Sequence, residues 1–163
     1  MHFPTRYYVK LQSVEPLYSK GIKVFQDLVF EKVKVPVKAA LLHLVEADRE
    51  LRPLAGDQLI KGVVDMFIDL GIGADLVVYS DLERDMLDAT GTYYHSTKCE
   101  VWLGADSFSE YLLKSEQALQ QEEDRCGRWL HRSTLGKLKA VVIEALLQKP
   151  QSKVKLTVVL DYG

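Results

Sequence analysis

Between Ser80 and Leu138 two long runs of helical periodicity meet at a short Gly104-Ala105-Asp106 joint. Each run opens on Ser-x-x-Glu, first Ser80 with Glu83 and then Ser107 with Glu110. In such a pair the serine hydroxyl accepts the amide three residues on while the glutamate reaches back to the cap amide, so each predicts a helix start. The first helix is expected over about Ser80 to Leu103, a rod of ~35 Å at 1.5 Å per residue. Its apolar stripe is Leu82, Met86, Leu87, Tyr93, Tyr94, Val101 and Trp102. The second is expected over Ser107 to Leu130, with Phe108, Leu112, Leu119, Cys126 and Leu130 inward and the polar run Gln120 to Arg125 as a solvated face. Rods of this length can bury their stripes only against other helices, and that limits the folds open to the rest of the chain.

The flanking sequence supplies those helices. Leu17, Gly21, Val24, Phe25, Leu28 and Val29 recur at helical spacing until Val33-Lys34-Val35-Pro36, where proline predicts an interruption. A second stripe then carries Val37, Leu41, Leu44, Val45 and Leu51, and Arg52 to Gly56 reads as a loop. Asp57 is placed to cap a third helix with Leu59 or Ile60, Val63, Phe67 and Leu70 inward and Gly71 as its left-handed end. A last helix from Ser133 holds Leu135, Leu138, Val142, Ala145 and Leu146 and is expected to stop at Lys149-Pro150. The tail from Lys153 to Leu160 is β-branched and partly alternating, the pattern of a strand with no second strand to pair with. The fold class is therefore all-α.

Several function classes find no support in the residues. The 163 residues carry 21 basic and 23 acidic side chains, net −2, with no Lys/Arg cluster, so nucleic acid is not an expected partner. Apolar runs are far shorter than the ~20 residues of a membrane helix, and no signal-peptide layout opens the chain, so no membrane is expected. Two cysteines, Cys99 and Cys126, read as free thiols in a reducing compartment, cytoplasm or nucleus. His2, His43, His95 and His131 show no pair at i, i+4 and no Cys-x-x-Cys accompanies them, so neither metal nor cofactor is expected. His95 and Cys99 share a helix face, but no oxyanion hole accompanies them, and no Gly-x-Ser-x-Gly is present. No catalytic residue is assigned. Tyr93, Tyr94 and Trp102 read as packing.

One ordered series of residues carries a resemblance. It runs Asp81-Leu82-Glu83, Met86-Leu87, Thr90, Tyr93-Tyr94, Trp102 and Asp106-Ser107. It continues through Tyr111-Leu112-Leu113-Lys114-Ser115-Glu116, Leu119, Glu122, Glu123, Arg125, Leu130-His131 and Ser133. With Leu17, Gly21, Phe25, Asp27-Leu28-Val29, the Val45 to Glu50 segment and Leu70-Gly71-Ile72-Gly73 upstream, it resembles the N-terminal stalk of a cullin over roughly residues 7 to 148. The likeness is in particular to plant-type relatives of the cullins that serve F-box adaptors. Leu82 stands where the family usually has phenylalanine, Pro36 has no usual counterpart, and the Val154 to Leu160 tail matches nothing in it.

The resemblance implies a stalk-like five-helix cullin repeat over 16–131, the end of a preceding repeat over 1–15, the start of the next over 132–149, and a divergent tail, disordered or a lone strand, over 150–163. It implies a non-catalytic scaffold of a cullin-RING, SCF-type E3 ubiquitin ligase serving ubiquitin-dependent protein breakdown, with ligase components as protein partners. It also implies a chain cut on both sides, without the adaptor-docking and RING-binding parts. The alternative is a stand-alone helical interaction module or regulator. On this second reading Tyr7, Tyr8, Val142 and Leu146, which neighbouring repeats would cover, are expected at the surface as partner-binding candidates.

Overall fold

A computed structural model describes residues 17–50, 56–71 and 77–161, with side chains described as far as residue 147. Among these the chain is helical, in five rods. The first is α1 (Leu17–Phe25), a π turn (Gln26–Phe30) and α2 (Glu31–Arg49) in unbroken succession. The second is α3 (Asp57–Gly71). The third joins α4 (Val77–Thr92), a second π turn (Tyr93–Lys98) and α5 (Cys99–Ala105). The last two are α6 (Phe108–Trp129) and α7 (Thr134–Asp161). No strand occurs among the described residues, and the all-α class holds.

The chain divides into two units, residues 1–45 and 46–163. In the first, Phe30, Leu41 and Val45 are buried, while Leu17, Tyr18, Val24, Phe25, Leu28, Val29, Val33 and Val35 are exposed. The stripe expected to face a core is thus largely wet. Pro36 lies inside α2 and does not interrupt it. A mid-helix proline removes one backbone hydrogen bond, at a cost of about 3 kcal/mol. The helix bonds on both sides of it persist, so two expected helices are one rod.

In the second unit α7 packs on α4, α5, α6 and the Tyr93–Lys98 turn, and α3 packs on α4 and α6. Its core gathers Tyr93, Tyr94, Ala118, Val142, Ala145 and Leu146, with Trp102 and Leu119 partly buried against it. Val142 and Leu146 were expected at the surface. They are covered by this chain's own helices, since the face of α7 that carries them lies against the tyrosines and Ala118. Tyr7, Tyr8 and the Arg52–Ala55 loop lie outside the described residues.

The tail also departs from expectation. Its backbone is helical to Asp161, through Pro150, where a stop and then a lone strand were expected. A strand needs a partner for its amides and carbonyls, whereas a helix satisfies them within the segment, and valine or threonine costs only a few tenths of a kcal/mol there.

Helix starts divide in the same way. Ser107 accepts the Glu110 amide, and Glu110 accepts the Ser107 amide at 2.9 Å, a complete capping box. Ser80 is no cap, because α4 begins earlier, at Val77. Glu83 is buried and directed at α7, where it accepts from Thr134 at 2.8 Å and pairs with Lys137 at 2.6 Å. Asp57 opens α3 as its first residue while the Gly56 carbonyl receives the Leu59 and Ile60 amides. Substituting Ser107→Ala is therefore expected to lower unfolding free energy by about 1 kcal/mol in urea melts. Ser80→Ala is expected to change it by less than about 0.5 kcal/mol. Equal losses at the two positions would contradict this assignment of the helix starts.

Candidate functional site

The inner stripe of α6 follows the spacing Tyr111, Ala118, Glu122, Arg125, Cys126 and Trp129, all buried. Phe108 and Leu112, expected inward, are exposed. Two charged residues thus hold core positions where leucine would be ordinary. Glu122 is only 2% exposed and Arg125 only 5%, so the Gln120 to Arg125 run is not a solvated face throughout. Gln120 and Asp124 do face water, where they bond each other at 3.1 Å.

Around the Glu122 carboxylate the donors are fully specified. Arg49, from the last turn of α2, donates Nε to Oε1 at 2.8 Å and Nη2 to Oε2 at 3.1 Å. Tyr94 donates its hydroxyl to Oε1 at 2.8 Å, and Arg125 donates Nη1 to the same oxygen at 2.5 Å. Arg49 Nη2 also reaches Thr90 Oγ1 at 2.6 Å. Thr90 accepts there because its own hydrogen goes to the Met86 carbonyl, 2.7 Å away. The far side of Arg125 meets Asp48, Nε to Oδ2 at 2.8 Å, and Arg128 reaches that oxygen at 3.0 Å. Asp57 closes the chain, accepting Trp129 Nε1 at 3.1 Å.

Burial by itself would lower the pKa of Arg49, but the bidentate Glu122 outweighs it and the guanidinium is held charged more firmly than usual. Tyr94 is shifted the other way. Burial first, then the adjacent Glu122 charge, pushes its hydroxyl far above the ordinary tyrosine range. Burial raises Tyr79, Tyr93 and Tyr111 as well. Arg49 and Arg125 balance Glu122 and Asp48, so the cluster is neutral as a whole.

Two further networks tie the same helices. Thr134 gives its one hydroxyl hydrogen to Glu83, so Tyr79 must donate to Thr134 across 2.6 Å, and the Tyr79 oxygen accepts the His131 amide at 3.0 Å. Tyr111 donates to the Leu146 carbonyl at 2.5 Å, leaving its oxygen to accept the Cys99 thiol at 3.4 Å. Tyr93 donates to Glu50 at 2.6 Å, under Arg49 and Lys98 at 5.1 and 5.2 Å from its ring.

These arrangements brace helices against one another. The buried side-chain polar atoms among the described residues all have partners, and no cluster of metal-ligand type occurs among them. Cys99 and Cys126 are free and buried, and the Cys99 thiol is committed to Tyr111. No helix of the described residues is long and apolar enough to cross a membrane. The buried pair Glu122 and Arg125 escaped the reading of the α6 face because charge was assigned to water. The signal that finds them is their place in the alternating four- and three-residue steps Ala118, Glu122, Arg125, Trp129.

A family model for the cullin α-solenoid domain matches residues 5–158, reaching into the stretch read as a divergent tail. The chain is 34% identical over 146 residues to Putative cullin-like protein 1 of Arabidopsis thaliana, which spans 87% of this chain and 19% of that protein. It is 31% identical over 131 residues to Cullin-like protein 3 of the same plant, 80% of this chain and 51% of the relative. To Cullin-1 of Oryza sativa subsp. japonica it is 33% identical over 156 residues, 93% of this chain and 20% of the relative. The match therefore spans between about a fifth and a half of the relatives' length.

Removing one member of the buried cluster leaves its partners charged and unpaired. Glu122→Ala is expected to cost about 3–5 kcal/mol, with Arg49→Ala non-additive to it in a double-mutant cycle. A loss under about 1 kcal/mol would show that the carboxylate is not a brace. The four buried tyrosines have raised pKa values, so their contribution is complete below the unfolded value of about 10 and is lost as pH rises beyond it. Urea midpoints should be insensitive to these groups up to about pH 10 and fall above it, less steeply in Tyr94→Phe; no difference between the two proteins would refute the assignment.

Proposed function

The chain belongs to the cullin family, and we propose that it works as a non-catalytic helical scaffold within a ubiquitin ligase of the cullin-RING type. The observation that carries this reading is the family match over residues 5–158. The charge-matched interior supports it: the buried ionisable groups of the second unit are spent on one another, as suits an element whose task is to hold a shape. On this reading its partners are ligase components, a RING subunit and a Skp-type adaptor, and the process it serves is ubiquitin-dependent protein breakdown inside the cell.

A second reading, a helical interaction module acting apart from any ligase, is favoured by one specific observation. Eight large apolar side chains between Leu17 and Val35 are exposed, which is more than scattered surface residues amount to. Affinity purification of the tagged chain separates the two. Retention of a RING subunit and a Skp-type adaptor in about equimolar amounts is the expected result. If both are absent while other proteins are retained, ligase assembly is refuted and the second reading stands.

A further inference from the structure

We draw no further inference here: the strongest candidate, the surface patch of exposed apolar side chains Phe108 and Leu112 on α6 with Ile143 and Leu147 on α7, carries nothing because nothing in the structure shows what covers it.

Discussion

The second unit depends on how a single buried carboxylate is satisfied. The Glu122 carboxylate accepts four hydrogen bonds, three at Oε1 from Arg49 Nε, Tyr94 and Arg125 and one at Oε2 from Arg49 Nη2. A bare carboxylate could not be buried at this depth, so the donors must arrive together as the helices assemble. They come from different rods. Arg49 brings the last turn of α2, Tyr94 brings the turn after α4, and Glu122 and Arg125 belong to α6. An apolar core accepts many near-equivalent packings, whereas this set of bonds is complete in one relative placement of three segments.

The π turn at Tyr93–Lys98 follows from the same requirement. Tyr93 and Tyr94 are adjacent in sequence, and both are buried, ring centroids 5.1 Å apart and nearly perpendicular. Tyr94 serves Glu122 and Tyr93 serves Glu50, two different acceptors. Along this rod the buried line steps by four through Leu82, Met86, Thr90 and Tyr94, then by five to Cys99. A regular α-helix would have carried position 98 to the core. One inserted residue resets the phase, and Cys99 and Trp102 come round to meet Tyr111. The close approach of α4 to α7 sits just before it, where Gly91 leaves no more than 3.2 Å between a would-be Cβ and Val141.

Much of the fold class and the placement of the rods was legible in the sequence, because helical periodicity and the Ser107 box are local signals with local causes. The family was legible for a different reason: an ordered series of residues with its spacings is far more specific than composition. The faces were less legible. Periodicity taken from leucine and phenylalanine turns Phe108 and Leu112 inward, whereas the true stripe runs through Tyr111 and two charged residues. Burial of Glu122 and Arg125 depends on partners more than seventy positions away, Arg49 and Asp48, and no window along α6 contains them. A surface position for Val142 and Leu146 follows from expecting neighbouring repeats to cover them, whereas α4 to α6 already do.

An interior closed in this way limits what the molecule can offer to others. A buried ion cluster is weak support for stability in itself, since apolar residues of equal volume often serve as well. What it adds here is a single mutual placement of its segments, the property a scaffold needs and a catalyst needs less. It also consumes the chemistry: the charges of Arg49, Glu122, Arg125 and Asp48 are answered within the unit, and the tyrosine hydroxyls of Tyr79, Tyr94 and Tyr111 each donate inward. Among the described residues the apolar surface left in water is uneven, densest along the rod from Leu17 to Val35. A helix that keeps leucine and valine wet loses free energy unless something covers them.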